Sequence, residues 1–300
     1  MSGAYQVIDS GRDRRKWLAL RRDGIGASDA AAVLGVSPWS SPMDVYAEKL
    51  GLYGAPVDVP ENDSMRWGQI LEPLVLTDFR QATGRWVKRE GRLLRSRARA
   101  WQQTTLDARQ RRSGDSSPGL LEIKTTKFEW DGIPDDVYAQ LQHQFAVTGF
   151  RWGSLAVWNR MSCALTWEDL EPDAKYIDEL NSRERDFWLR LSNGEPPDPD
   201  ESEHTARALK AIYPKHIDGK IVKLDATFLD ITDELEDAKR EVGAAISRRR
   251  ELENQIKAEI GDAEAGLLPS GVLYTHRLQH RKETVQAATS FRVLRRKEAR

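Results

Sequence analysis

The segment Leu-Leu-Glu-Ile-Lys-Thr, residues 120–125, constrains what this chain can fold into more than any other stretch. It reads as an apolar β-strand carrying two opposite charges, and a charge inside such a strand needs partners because burying it alone is costly. Alternate residues of a strand face one side, so Glu122 and Lys124 project together while Ile123 turns into the core. An earlier strand, Thr104 to Ala108, carries Asp107. The loop between, Arg109 to Gly119, is rich in Arg, Ser and Gly and makes the two strands a hairpin. In the register this turn suggests, Asp107 meets Glu122 across the ladder. Two carboxylates and the backbone carbonyl of Ile123 form an oxygen-rich site suited to Mg²⁺ or Mn²⁺. Lys124 beside them suits steadying a nucleophilic water and the negative charge of a phosphate.

The rest of the chain supplies a scaffold for that hairpin. Helices are expected over Trp17–Arg22, over Ala30–Leu34 with Ser28 as N-cap, over Met43–Leu50 and over Met65–Thr83. Short strands are expected at Trp86–Val87 and Leu93–Leu94, a helix over Pro134–Thr148, a second hairpin from Gly153–Trp158 and Cys163–Trp167, and an amphipathic helix over Ala174–Leu191. The acidic, proline-rich stretch Glu195–Glu203 reads as a linker. Beyond it Ile221, Leu224, Phe228, Ile231, Leu235, Ala238, Val242, Ala245, Leu252 and Ile256 follow a heptad register broken at Arg249. Val272–Leu278 reads as a strand before a basic tail. The expected organisation is therefore an α/β (α+β) catalytic core over 1–193, a linker over 194–206 and a helical, coiled-coil extension over 207–300.

Composition excludes some classes. No run approaches the roughly 18 apolar residues of a membrane-spanning helix, and the N-terminus lacks the apolar segment of a secretory signal. The single cysteine, Cys163, excludes a disulfide framework and a cysteine-based zinc site, which points to a reducing, cytoplasmic setting and no membrane partner. Forty-six basic against 47 acidic residues give a net charge of −1, unlike most nucleic-acid binders. The charge is segregated, however. Ser10–Arg22 carries six bases and one acid, and Arg80–Arg112 carries eleven bases against Glu90 and Asp107. Asp225–Glu241 carries seven acids against two bases. Such segregation can build one basic groove, with an acidic arm facing away from it, on a neutral protein.

Further residues extend the hairpin into a constellation. Glu72 lies in Arg66-Trp-Gly-Gln-Ile-Leu-Glu72-Pro among apolar neighbours and would add a third carboxylate, directly or through water. Tyr138-Ala-Gln140-Leu-Gln142-His143 gathers polar groups within two helical turns, and Gln142 would orient water or a phosphate oxygen. Trp39, Trp86 and Trp101 are candidates for stacking at a frayed DNA end. The succession Trp17-Leu-Ala-Leu-Arg21, Ile25-Gly-Ala-Ser28-Asp, Trp67-Gly-x3-Glu72, Leu106-Asp107, Glu122-Ile-Lys124 and Tyr138-x-Gln-x-Gln142 resembles the YqaJ-type viral recombinase nucleases. That family includes phage lambda exonuclease and belongs to the PD-(D/E)XK nuclease superfamily. The resemblance covers about residues 14–160.

It implies a mixed β-sheet flanked by helices and Mg²⁺-dependent 5′→3′ digestion of double-stranded DNA. It also implies metal ligation by Asp107, Glu122 and the Ile123 carbonyl, with Lys124 catalytic, Glu72 the helix-borne acid and Gln142 the helical glutamine. Arg21 and Ser28 would hold the 5′-terminal phosphate, as guanidinium and hydroxyl chemistry allows. A single-strand annealing protein as partner and a homo-oligomer, trimeric by analogy, are further implications. Leu106 stands where the superfamily pattern has proline, and the Asp-Gly that often follows the aspartate is absent. A sequence- or structure-specific endonuclease on the same core and a non-catalytic DNA-binding or assembly protein are the alternatives.

Overall fold

A computed structural model describes residues 3–11, 13–54, 63–115, 117–280, 292 and 294. Most of the basic tail lies outside the described residues. Strand β1 (Tyr5–Asp9) leads to α1 (Arg14–Arg22), which Asp13 caps by accepting the Lys16 N–H. Helix α2 (Ala27–Val33) is capped differently from expectation: its N-cap is Gly26, and the Asp29 carboxylate reaches back to the Gly26 N–H at 2.9 Å. Ser28 therefore sits inside the first turn. Helix α3 (Pro42–Lys49) starts at Ser41, whose hydroxyl accepts the Asp44 N–H, with proline at the first helical position. Helix α4 (Asp63–Thr83) follows.

Strands β2 (Trp86–Arg89), β3 (Leu93–Ser96), β4 (Gln103–Thr104), β5 (Ala108–Arg111) and β6 (Gly119–Thr126) come next. The single strand expected over 104–108 is split in two, and Asp107 falls in the joint just before β5. Helix α5 (Asp135–Thr148) ends at Gly149, whose φ of 67° is the left-handed cap that glycine adopts without a Cβ penalty. Then come β7 (Gly153–Asn159), β8 (Ala164–Leu170), α6 (Ala174–Asn193) and α7 (Glu203–Ile212).

The main sheet is mixed, in the order β2-β5-β6-β7-β8. β5 and β6 pair antiparallel with Ala108 opposite Leu121, whereas β6 and β7 run parallel through the α5 crossover, with Glu122 opposite Leu155 and Lys124 opposite Val157. The pair must approach closely: a Cβ on Gly153 would lie 2.5 Å from Leu120 Cγ. A smaller sheet joins β1, β3 and β4. Because β6 is buried on both faces, its alternation sorts two cores. Leu120 and Leu155 pack with Leu141 and Phe145 of α5, while Leu121, Ile123 and Ala156 pack with Val75, Leu76 and Phe79 of α4.

Two expectations about organisation change. One compact unit runs to Pro214, so α7 lies within it and not in an extension. Ala208 of α7 buries against Met43 and Ala47 of α3, Thr205 donates to Ser41 Oγ at 2.8 Å, and Arg207 pairs with Asp44 at 2.6 Å. The proline-rich stretch before it is pinned by Arg190, which donates to the Pro196 carbonyl at 2.7 Å and to Asp198. Truncation after Pro214 is therefore expected to leave a cooperatively folding unit. Truncation after Pro199 would strip α7 from α3 and lower the urea midpoint, checked by circular dichroism. Equal midpoints for the two would overturn the assignment of α7.

The second unit, Lys215–Arg300, contains α8 (Phe228–Ile260) and a small hairpin of β9 (Ala265–Leu267) and β10 (Leu273–Thr275). The heptad positions from Phe228 to Ile256 lie on one continuous helix with no buried residue. Ile221 and Leu224 precede it, because Asp225 turns the chain by accepting the Thr227 N–H. Among the described residues no helix is long and apolar enough to cross a membrane.

Candidate active site

The site forms where β5, β6 and α5 meet. The Asp107 carbonyl accepts the Glu90 N–H at 2.9 Å, and its Oδ2 accepts the Ile123 N–H at 2.8 Å, which locks the carboxylate beside β6. Glu122 is almost fully buried, with four donors and acceptors gathered on it and its neighbours. Lys124 Nζ donates to Glu122 Oε1 at 2.7 Å and to Gln140 Oε1 at 2.7 Å. Gln140 Nε2 donates to Glu122 Oε1 at 2.6 Å, and Gln144 Nε2 donates to Glu122 Oε2 at 2.7 Å. Both oxygens of Glu122 are thereby fixed in direction, as a buried carboxylate requires.

The electrostatics are uneven. Burial, then the neighbouring Glu122 carboxylate, pushes the Asp107 carboxyl well above the usual range, with Lys124 opposing and Glu72 adding. Burial pulls the Lys124 ammonium down, but Glu122 and then Asp107 more than offset it and hold it above its ordinary value. Two crowded carboxylates thus share one lysine. Gln144 Oε1 is also buried there without a hydrogen-bond partner. This donor set fits a hard divalent cation of the Mg²⁺ type, which takes one or two carboxylates and keeps other positions for water and phosphate. Among the described residues no group of three His, Cys, Asp or Glu side chains is close enough to hold a metal alone.

Two expected members are placed otherwise. Gln142 is fully buried but faces away: its Oε1 accepts the Asp173 N–H at 2.8 Å and its amide reaches the Glu171 carbonyl at 3.4 Å. At about 100° per residue, position 142 lies some 200° around the helix from 140, whereas 140 and 144 share one face. The glutamines that serve the site are Gln140 and Gln144, and the i, i+4 spacing in the sequence was the available signal. Glu72 is close enough for its charge to act on Asp107, yet its Oε1 accepts from Arg89 Nε at 2.8 Å. Its carboxylate is engaged with β2, not with the Asp107–Glu122 pair.

A second cluster surrounds Arg21. Its Nη2 donates to Ser28 Oγ at 2.9 Å and to Asp29 Oδ1 at 3.2 Å, so the two residues expected together are together. The sequence reading missed the group between them. Asp29 is buried and also accepts from Lys49 Nζ at 2.5 Å, while Lys49 donates to the Arg21 carbonyl at 3.1 Å. Burial opposes the charge on Asp29, but Lys49 and Arg21 hold its carboxyl well below the usual range. Asp29 thus aims a guanidinium and a hydroxyl at one place.

The basic stretch 80–112 is partly spent on the fold. Arg85 pairs with Asp169, Arg89 with Glu72, and both Arg92 and Arg109 with Glu90. Of the three tryptophans considered for stacking, Trp39 and Trp86 are exposed, while Trp101 packs against the core between α2, α3 and α6.

Residues 16–151 match the model of the YqaJ-like viral recombinase domain. The chain is 30% identical over 269 residues to the uncharacterized protein YqaJ of Bacillus subtilis (strain 168), covering 87% of this chain and 82% of that protein. Its fold is similar to LHK-Exo in complex with dAMP, with a TM-score of 0.50 and 22% identity over 60% of this chain and 93% of that one. A second LHK-Exo structure, an alkaline exonuclease from Laribacter hongkongensis, gives a TM-score of 0.48 and 20% identity over the same shares. By the domain match and by the likeness to YqaJ along most of both chains, this protein belongs to the YqaJ-like viral recombinase family.

Proposed function

We propose that the chain is a metal-dependent DNA exonuclease that digests linear double-stranded DNA in the 5′→3′ direction. The observation that carries this reading is the Asp107, Glu122 and Lys124 cluster with Gln140 and Gln144 on its carboxylate. Membership in the YqaJ-like viral recombinase family and a fold similar to that of LHK-Exo agree with it.

Asp107, Glu122 and the Ile123 carbonyl would hold Mg²⁺, with Mn²⁺ as a substitute. When bound, such an ion supplies Lewis-acid stabilisation of charge on the phosphate. The protein's own groups do the rest. Gln140 and Gln144 keep both Glu122 oxygens from turning, so the carboxylate pays no reorganisation when substrate arrives. Lys124, held protonated by Glu122, places a fixed positive charge where an attacked phosphate gains negative charge. Arg21, set by Asp29, and Ser28 would receive the 5′-terminal phosphate and so set polarity. A single-strand annealing partner and assembly as a homo-oligomer rest on the family resemblance.

Linear 5′-phosphorylated duplex and covalently closed circle, each incubated with Mg²⁺, test the reading. Loss of the linear DNA alone supports an exonuclease. Cutting of the circle would favour an endonuclease on the same core, and binding without cleavage a DNA-assembly protein. Arg21→Ala is expected to lower the preference for 5′-phosphorylated over 5′-hydroxyl ends by roughly tenfold, the worth of one charge-assisted pair. An unchanged ratio in initial digestion rates would remove Arg21 from the pocket.

A further inference from the structure

One cavity of the core is not used by the chemistry above. Helix α5 begins only at Asp135, so it covers Leu155 but leaves the ends of β7 and β8 on that face open. The result is a groove of about 420 Å³, lined along the strands by Val157, Asn159, Thr166 and Glu168 and closed by the loop before α5. Register places it next to the site. Lys124 is opposite Val157 and Thr126 opposite Asn159, and paired residues share a face, so the groove lies on the same face as Lys124, on the strand paired to β6, whose backbone runs ~4.8 Å away.

Its lining is unlike a phosphate site. Among the described residues that line it there is no lysine or arginine, and Glu129 and Glu168 are present. Aromatic surface is present too: Trp130 lines the groove, and Phe128 stands at its mouth 77% exposed. Phe128 does not hang from a loose loop. Its N–H donates to Thr126 Oγ1 at 3.0 Å, and that hydroxyl donates back to the Phe128 carbonyl at 3.0 Å. An exposed ring on an anchored backbone, beside a groove of mixed polar and apolar lining, offers a face for stacking. Carboxylates only accept, so they match a ligand edge rich in N–H donors.

We propose that this groove is a nucleobase subsite. It takes an unpaired base from the DNA strand whose phosphate lies at Glu122 and Lys124, stacks it against Phe128 and Trp130, and accepts hydrogen bonds from its exocyclic amine. It therefore favours cytosine, adenine or guanine over thymine, which has no such amine. The inference rests on the nuclease reading, since that is what brings a strand to Lys124.

The test is binding of the full chain to fluorescent single strands of roughly ten nucleotides, within the length one groove tracks, without divalent cation. Oligo-dC and oligo-dT have equal charge and ring size and differ at C4, N3 and the 5-methyl group, so their affinity ratio reads that edge of the base. Wild type is expected to prefer oligo-dC by about fivefold or more. Phe128→Ala is expected to weaken oligo-dC binding about fivefold. The Glu129→Ala, Glu168→Ala double variant is expected to bring the ratio to about one, even if the lost negative charge tightens both. Equal binding of the two oligonucleotides by wild type, or unchanged binding in Phe128→Ala, overturns the subsite. Duplex digestion is measured in parallel: digestion without base preference sinks the subsite alone, and base preference without digestion sinks the nuclease reading instead.

Discussion

Lys124→Ala is expected to lower Mg²⁺-dependent digestion of linear duplex on the order of 10²–10³-fold, the usual loss when one preorganised charge is removed from a reacting centre. Glu122→Gln should fall at least as far, since it removes one of the two carboxylates proposed to hold the metal while keeping the volume that α5 packs against. Gln140→Ala acts one step out, through the orientation of Glu122 and Lys124, and roughly 10–100-fold is expected. Gln142→Ala is the informative contrast. Its bonds run to Asp173 and Glu171, so it should cost about 1 kcal/mol of stability and leave the rate unchanged. Initial rates on one duplex, with urea midpoints for each variant, check the series. A Gln142→Ala enzyme as slow as Gln140→Ala would reverse the assignment of the two glutamines.

The second large effect is expected far from the carboxylates, at a buried ion pair. His143 Nδ1 lies 2.6 Å from Glu184 Oε1 and its Nε2 lies 3.0 Å from the Gln103 carbonyl, and both side chains are fully buried. The Gln103 carbonyl can only accept, so Nε2 donates to it, and an ionised Glu184 favours a second proton on Nδ1. Burial pulls His143 down, but Glu184, then its hydrogen bond and the Gln103 carbonyl, with Asp29 behind, raise it above its ordinary value. Gln102 donates to the other Glu184 oxygen at 2.6 Å, and Gln103 donates to the Arg21 carbonyl at 2.7 Å. The pair therefore ties α5 to α6 and to the strand that supports Arg21.

Glu184→Leu strands a buried cation and is expected to cost about 3–5 kcal/mol, read as the shift in urea midpoint. The pH dependence has a definite sign. A histidine raised by folding contributes stability that is full below its unfolded value, about 6.5, and is lost as pH rises through the folded value. Wild type should thus lose stability as pH rises above about 6.5, and Glu184→Gln should flatten that slope. A wild-type curve level from pH 6 to about 9 would show that the ring is neutral.

Much of the candidate site was legible because short-range rules produce it. Period-two alternation sets Glu122 and Lys124 on one side of β6 and Ile123 on the other, whatever the strand packs against. The turn-rich connection between β5 and β6, shorter than the 109–119 loop expected, forces the antiparallel return that brings Asp107 to the Ile123 N–H. The mixed sheet, the helices around it and the pairing of Arg21 with Ser28 were likewise readable, the last through motif order and not through spacing alone. Gln142 was misplaced because a sequence shows which residues share a helix face but not which face the sheet covers. The packing of Val137, Leu141 and Phe145 against Leu120 and Leu155 decides that, and it leaves positions 140 and 144 toward Glu122.

Charge followed the same division. The sequence by itself determined that a near-zero net charge hides a basic front and an acidic region beyond residue 195. Only the tertiary structure decided which of those charges are used internally: Arg85, Arg89, Arg92 and Arg109 are paired with Asp169, Glu72 and Glu90, residues up to 84 positions away. It also decided that α7 belongs to the core, because the small residues on its inner face matter only once α3 lies against them. Local propensity is written along the chain, but a side chain's partner is fixed by which surfaces bury each other. That choice is made by the whole packed unit, where a buried carboxylate or cation must find its complement or not be buried at all.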